Sequence, residues 1–244
     1  MRPRSNTLFH FTKSEVILFD ILANGFWPRY CLEDIEWQGF KDLEFVAFPM
    51  VCFCDIPLAR ISDHVGFYGS YGLGLTKEWA EKNNLNPLMY ASAGSGLSSC
   101  VSQIMINTLG KEEAGSQAIK EVRYLIAHTK PTVGRMMVDG QPVEKEFYQE
   151  SEWRYVPIHE NVKTHLRQDA FDDKESLTEE HEKTKEHASL KFLPSDVAYV
   201  FVPKDSDIPN IINFMQDKLD HYPNADLKVL YSRVISLESI NRDI

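Results

Sequence analysis

The chain has no apolar run long enough to cross a membrane, although 43% of its 244 residues are hydrophobic. A membrane-spanning helix needs about 20 consecutive apolar residues, and no segment approaches that length. The opening Met-Arg-Pro-Arg-Ser-Asn-Thr also lacks the apolar core of a signal peptide. We therefore expect a globular protein with ample material for a core and no membrane partner.

Cysteine is scarce, and its spacing does not form a disulfide framework in a chain of this length. The four residues are Cys31, Cys52, Cys54 and Cys100. Structural zinc sites usually separate paired cysteines by two to four residues and need a second pair, which the sequence does not offer. We expect reduced thiols, a cytoplasmic location and no metal site.

Basic residues are fewer than acidic ones: the chain has 26 Lys and Arg and 36 Asp and Glu, which gives a formal net charge of -10. This balance argues against indiscriminate binding to nucleic acid or anionic membranes, but it leaves room for a local basic groove. The chain also lacks a Gly-X-Ser-X-Gly elbow, and Gly94-Ser-Gly96 lacks the lysine of a phosphate-binding loop.

Hydrophobic patterning predicts a mixture of strands and helices. A strand at 8–11 leads into the capping-box pattern Thr12-Lys-Ser-Glu15, and Gly25 ends the helix that follows. The pattern further predicts a loop at 26–34, strands at 46–55, 88–91, 197–202 and 228–235, and helices at 77–84, 97–109, 114–128 and 208–219. Asp139-Gly140 predicts a turn. We expect an α+β fold in a single domain over 1–244.

The run at 168–187 departs from this pattern because it is rich in charge and poor in apolar residues. Such composition is typical of a solvated helix or a mobile insertion. We expect this charged insertion to be dispensable for folding and to be available to a basic partner.

Glu150-Ser-Glu152 is the most informative short motif. In an extended strand, alternate side chains share a face, so Glu150, Glu152 and Arg154 would project together. Two carboxylates at this spacing repel each other unless a cation relieves them. The pair indicates either a site that manages positive charge on a bound molecule or a surface strand with a Glu–Arg pair.

The order of motifs resembles the ADP-ribosyltransferase fold, in which a split β-core carries flanking helices. That group has a histidine on its first strand, a tyrosine on a later strand and a catalytic glutamate on a late strand. The chain offers His10, then Tyr68 and Tyr71, and then the Glu-X-Glu pair, in that order.

Longer segments resemble the AbiGi abortive-infection family of bacterial anti-phage systems, some of whose descriptions use the word antitoxin. The resemblance covers roughly the first ninety residues and Glu-Ser-Glu-Trp-Arg. The segments that carry it are Leu8-Phe-His-Phe-Thr, Arg29-Tyr-Cys-Leu-Glu-Asp, Pro49-Met-Val-Cys-Phe-Cys-Asp-Ile-Pro57 and Tyr68-Gly-Ser-Tyr-Gly-Leu-Gly-Leu-Thr-Lys-Glu-Trp79.

The transferase resemblance implies a role for each motif, with NAD as the substrate. Glu152 would stabilise the oxocarbenium-like transition state of nicotinamide–ribose cleavage, and Glu150 would help to deprotonate the acceptor. The NAD-binding residues would be His10, Thr12, Arg29, Tyr71 and Tyr68. The acceptor would be a macromolecule, either nucleic acid or protein.

Two function classes stay open at this point. The first is an NAD-dependent ADP-ribosyltransferase effector of abortive infection. The second is a non-catalytic antitoxin or regulatory protein that binds a cognate toxin. The Glu-X-Glu pair together with His10 favours the first. The charged insertion and the word antitoxin in descriptions of the resembled family favour the second.

Overall fold

The computed structural model describes residues 5–39, 44–109, 116–138 and 141–243. Its strands are β1 (Thr7–Thr12), β2 (Arg29–Asp34), β3 (Phe45–Cys54), β4 (Tyr71–Thr76), β5 (Asn86–Pro87), β6 (Met89–Ala91), β7 (Thr129–Pro131), β8 (Val133–Val138), β9 (Gln141–Glu146), β10 (Glu152–Tyr155), β11 (Leu166–Arg167), β12 (Val197–Val202) and β13 (Val234–Ser236). Its helices are α1 (Glu15–Asn24), α2 (Ile61–Tyr68), α3 (Lys77–Lys82), α4 (Gly96–Leu109), α5 (Gln117–Ala127), α6 (Gln168–Asp172), α7 (Lys174–Ala188), α8 (Ile208–Lys218), α9 (Asn224–Tyr231) and α10 (Leu237–Asp243). The mixed α+β class is confirmed.

Contacts divide the chain into two compact units. The first unit comprises Met1–Phe26, Cys52–Leu85 and Leu190–Ile244, and the second comprises Trp27–Val51 and Asn86–Ser189. The sequence pattern did not predict this division, because the division depends on contacts between segments far apart in the chain. That the whole chain forms a single domain stays a prediction.

The first unit is built on a mixed sheet in the order β13, β12, β4, β1 and the last residues of β3. β12 and β13 run parallel, joined by a crossover through α8 and α9, whereas the other neighbours are antiparallel. Apolar side chains of this sheet form a core that includes Phe9, Phe11 and Phe201. The rings of Phe11 and Phe201 lie 5.4 Å apart, a separation typical of favourable aromatic pairs.

The second unit contains several short sheets. β2 and β11 flank the first half of β3, β10 pairs with β5, β6 runs parallel to β7, and β8 and β9 form an antiparallel pair. A core cluster of Tyr30, Ala47 and Leu166 lies among the three strands β2, β3 and β11. The turn predicted at Asp139-Gly140 lies outside the described residues.

Three local predictions are wrong. Residues 29–34, predicted as a loop, form β2, because pairing with β3 stabilises a segment whose own pattern is irregular. Residues 228–235, predicted as a strand, end helix α9 and begin the short β13. The capping box does not form, since Ser14 is the N-cap of α1 without a side-chain hydrogen bond and Thr12 still belongs to β1.

The charged insertion is a helical segment, α6 and α7, that packs within the second unit. Glu180, Thr184 and Ala188 of α7 are buried. The Thr184 hydroxyl donates to the Pro28 carbonyl at 2.6 Å, and the Trp27 indole N–H donates to Thr184 Oγ1 at 3.0 Å. The prediction of a helix is confirmed. These interior contacts argue against a fully solvated segment, and its dispensability for folding stays a prediction.

Candidate functional site

The Glu-X-Glu motif is only partly extended. Glu152 and Arg154 lie on one face of β10, and both are buried, whereas Trp153 and Tyr155 on the other face are half-buried. Glu150 instead ends a 3₁₀ helix at Phe147–Glu150. Ser151 then adopts a left-handed conformation with φ 45°, which breaks the strand before it reaches Glu150. The predicted alignment of Glu152 with Arg154 is confirmed, and that of Glu150 is wrong.

Four side chains of the second unit form a charge cluster: Glu33, Lys130, Glu152 and Arg154. Glu33 is half-buried, and the other three are buried. Arg154 Nε donates to Glu152 Oε1 at 2.6 Å, and Arg154 Nη2 donates to Glu33 Oε1 at 2.8 Å. Lys130 Nζ lies 3.1 Å from Glu152 Oε2 and 3.7 Å from Glu33 Oε2. β2, β7 and β10 therefore each contribute charge to one interior site.

The charge cluster is electrically balanced, with two carboxylates and two cations. Burial by itself lowers the pKa of Lys130, but attraction to Glu152 and Glu33 outweighs it, so the pKa lies above its ordinary value. Lys130 is therefore charged at neutral pH. The cluster satisfies its own charges within the protein interior, and such an arrangement breaks at high cost if one partner is removed.

Neighbouring groups fix the cluster in place. Arg154 Nη1 donates to the Ala127 carbonyl at 2.7 Å, which satisfies a carbonyl at the end of α5 and places positive charge at the helix C-terminus. The Glu152 backbone N–H donates to the Tyr90 hydroxyl at 2.8 Å. The Lys130 ammonium lies 4.1 Å from the centre of the Phe147 ring, within range of a cation–π contact.

Glu150 is buried, and it forms an ion pair outside the charge cluster. Lys145 Nζ lies 2.6 Å from Glu150 Oε1. The two glutamates of the motif thus have different cationic partners. This pairing relieves the repulsion that the sequence spacing implied.

Sequence reasoning missed Glu33, Lys130, Tyr90 and Lys145. Glu33 was missed because its segment was predicted as a loop, whereas in β2 it lies on the same face as Cys31. Burial, followed by the nearby Glu33, raises the pKa of the Cys31 thiol to about 11. Cys31 is therefore a poor nucleophile, since the thiolate is the reactive form.

His10 is held within the first unit as a neutral ring. Its Nδ1 lies 2.8 Å from the Cys52 carbonyl oxygen and must donate to it, since a carbonyl only accepts. The rings of Phe26 and Phe53 lie 5.1 Å and 5.5 Å from the imidazole. Burial lowers the pKa of His10, with the Cys52 hydrogen bond opposing.

The other proposed cofactor residues occupy several elements. Thr12 ends β1 opposite Tyr71 at the start of β4, and Tyr68 ends α2 with its ring 4.4 Å from that of His64. Arg29 belongs to the second unit, where its guanidinium lies 3.4 Å from the centre of the Trp27 ring.

The seven predicted site residues are therefore distributed over both units. His10, Thr12, Tyr68 and Tyr71 belong to the first unit, and the remaining three, Arg29, Glu150 and Glu152, belong to the second. Within the first unit the backbone register brings Thr12 and Tyr71 together. Binding of NAD by this set stays a prediction.

Across the described ranges, no group of His, Cys, Asp and Glu is arranged to hold a metal ion. In that same part of the chain, no helix combines the length and the apolar character that a membrane span requires.

Comparison with known proteins points to phage defence. A family model described as "Putative abortive phage resistance protein AbiGi, antitoxin" matches residues 24–203, well over half of the chain. A relative from Lactococcus lactis subsp. cremoris, named "Abortive phage resistance protein AbiGi", is 28% identical over 249 aligned positions, which cover 90% of this chain and 99% of the relative. No solved structure matches the fold.

Proposed function

Because this chain belongs to the AbiGi family of abortive phage resistance proteins, we propose that it is a non-catalytic antitoxin that binds and restrains a toxin during phage defence. The family description supports this proposal, since it carries the word antitoxin. The observation that carries it on physical grounds is the balanced charge cluster around Glu152.

A catalytic glutamate of a transferase must direct its negative charge at a developing cation in the substrate. In this chain both carboxylate oxygens of Glu152 already face cations, Arg154 at 2.6 Å and Lys130 at 3.1 Å. Glu152 is 5% exposed, so a substrate would have to displace buried ion pairs to reach it. These contacts favour a structural role for Glu152.

A binding role needs a surface, and the outward side of α7 supplies one. Glu175, Glu179, Glu182 and Glu186 follow one another at intervals of four, three and four residues, so they share one side of the helix. All four are exposed, and Thr184 on the opposite side is buried. We call these four glutamates the acidic face of α7.

The acidic face of α7 costs the helix stability, because like charges three and four residues apart disfavour a helix by roughly 0.2–0.5 kcal/mol per pair. The side chains of Lys183 and His187 border it, yet Lys183 is directed to Glu180 at 2.7 Å. A row of carboxylates on a protein of net charge -10 suits a partner with a basic surface. The expected toxin is therefore basic where it contacts α7.

The experiment has two arms. In the first, the chain is expressed alone in a bacterial host, and growth and NAD content are followed. An antitoxin leaves both unchanged in wild type and in Glu152→Gln. Growth arrest with NAD loss in wild type, abolished by Glu152→Gln, would instead establish the ADP-ribosyltransferase and its NAD site, which stand as the competing proposal.

In the second arm, the chain is co-expressed with a protein of the same genome that arrests growth when it is expressed alone. Wild type should restore growth, and reversal of the acidic face of α7 to lysine should abolish the rescue while the protein remains folded. A matched control reverses four exposed acids of the first unit, which are Glu78, Glu81, Asp217 and Asp220. Equal loss of rescue in both variants would show that net charge, not this face, carries the effect.

A further inference from the structure

A cleft of about 430 Å³ opens in the first unit, at the carboxyl ends of its two parallel strands. Pro203 and Lys204, which follow β12, line it, and so does Leu237, which follows β13. Parallel strands joined by a helical crossover characteristically place ligands outside their carboxyl ends. The volume lies within the range of roughly 300–1,000 Å³ that is usual for small-molecule sites.

The polar lining of this cleft comes from three directions. Ser62 belongs to α2, Ser70 precedes β4, and Asn241 belongs to α10. The Ser62 hydroxyl donates to Asn241 Oδ1 at 2.9 Å, which joins α2 to α10 across the cleft. Hydroxyl and amide groups both donate and accept hydrogen bonds, so they match a ligand that is rich in hydroxyl groups.

The backbone at Gly69 fixes the position of Ser70. Gly69 has φ +120°, and a Cβ there would lie 2.3 Å from the carbonyl carbon and oxygen of Thr12. Only glycine tolerates this conformation and this close approach, and strained positions of this kind cluster at ligand-binding sites. Position 69 is therefore restricted to glycine directly before Ser70, which lines the cleft.

Charge in the cleft is divided between one cation and one anion. Arg242 Nη2 donates to Glu238 Oε1 at 2.7 Å, and the Asp205 backbone N–H donates to Glu238 Oε2 at 3.3 Å. The charge of Glu238 is thus balanced, while its oxygens retain lone pairs that can accept from hydroxyl groups. In the described ranges Lys204 forms no ion pair, so its ammonium is available to an anion.

We propose that this cleft binds a mononucleotide. The phosphate pairs with Lys204, a ribose hydroxyl donates to Glu238, and the base lies against the apolar side chains of Val65 and Leu237, which also line the cleft. A carboxylate that accepts from ribose hydroxyls at the end of a β-α-β unit is a recurrent arrangement in nucleotide-binding proteins. This proposal is independent of the antitoxin proposal, because it uses residues of the first unit only.

Isothermal titration calorimetry on the full chain with AMP, GMP, CMP and UMP tests the site, and adenosine and inorganic phosphate serve as partial ligands. At least one mononucleotide should bind. Lys204→Met should raise the dissociation constant of that nucleotide roughly tenfold or more, because a hydrogen bond to a charged group contributes binding free energy of that size. The affinity for adenosine should not change, because adenosine has no phosphate. Glu238→Gln should weaken nucleotide and adenosine alike and leave phosphate unchanged.

Lys218→Met, which removes an exposed lysine at the end of α8, is the matched control and should bind as wild type does. Thermal unfolding of each variant confirms that it is folded, which is expected because Lys204 is exposed. Absence of binding by all four mononucleotides at millimolar concentration would overturn the proposal. Binding that is unchanged in both Lys204→Met and Glu238→Gln would also overturn it.

Discussion

Replacing Arg154 by methionine tests whether the charge cluster is structural. Methionine keeps much of the volume of arginine but removes one of the two cations, so Glu33 and Glu152 are left to share Lys130. One buried carboxylate then lacks a counter-charge, and the Ala127 carbonyl at the end of α5 loses its donor. Removing one partner of a buried pair typically costs about 3–5 kcal/mol.

A loss of that size is a large part of the 5–15 kcal/mol by which domains are usually stable. The free energy of unfolding is measured by urea denaturation followed through tryptophan fluorescence. Three of the four tryptophans, at positions 27, 37 and 153, belong to the second unit and report on it directly. The matched control is Arg242→Met, whose ion pair with Glu238 is on the surface and should contribute no more than about 1 kcal/mol.

A second substitution separates charge balance from packing. Adding Glu152→Gln to Arg154→Met leaves Glu33 with Lys130, so equal charges are restored. The double variant should therefore lose less stability than the sum of the losses of the two single variants, by about 0.5–3 kcal/mol, the range of coupling between residues in contact. If Arg154→Met costs less than about 1 kcal/mol, or the two substitutions simply add, the cluster does not hold the fold as we describe.

Three further predictions concern stability. Thr184→Val should cost about 1–3 kcal/mol in urea denaturation, because it leaves buried groups without a partner, while Thr178→Val on the exposed side of α7 should cost little. Gly69→Ala should lower the free energy of unfolding by roughly 1–3 kcal/mol or more, because a Cβ there meets the backbone at Thr12. Gly66→Ala should raise it by about 0.5–1 kcal/mol, because Gly66 lies inside α2 with open space around its Cβ. Equal effects of the two substitutions would refute the backbone argument. Burial, with Arg123 and Arg167, lowers the pKa of His165 to about 4, below the roughly 6.5 of an unfolded chain. The unfolded state therefore binds protons first, so stability should fall as pH is lowered from about 6.5 to about 4, and His165→Gln should flatten this slope.

Several elements could be predicted because their signals are local. The strand around Phe9, the helix that Gly25 ends and the helix predicted at 77–84 all depend on residues close together in the chain. The last of these begins as α3 after Thr76, whose hydroxyl accepts from the Trp79 backbone N–H at 3.3 Å. Side-chain alternation also placed Glu152 and Arg154 on one face correctly, since that needs only an extended backbone.

The errors arose where distant segments decide the outcome. The backbone of 29–34 becomes a strand because β3 offers it hydrogen bonds, and no pattern within those six residues reveals that partner. The charged composition of α7 gave no sign of its buried side. There Thr184 donates to the carbonyl of Pro28, 156 positions away in the chain, and Glu180 pairs with Lys163. Composition describes a segment on average, whereas burial depends on which side of the helix meets the rest of the protein.

The sequence by itself determined the α+β class, the acidic net charge and the family, because these follow from composition, local periodicity and shared motifs. Only the tertiary structure shows which charged groups surround Glu152. Its motif is compatible with a catalytic acid or with a structural ion pair, and the choice depends on whether cations reach it. Lys130 and Glu33, from strands distant in sequence, complete a balanced cluster there. Electrostatic compensation is a property of distances in space, which a linear pattern does not contain.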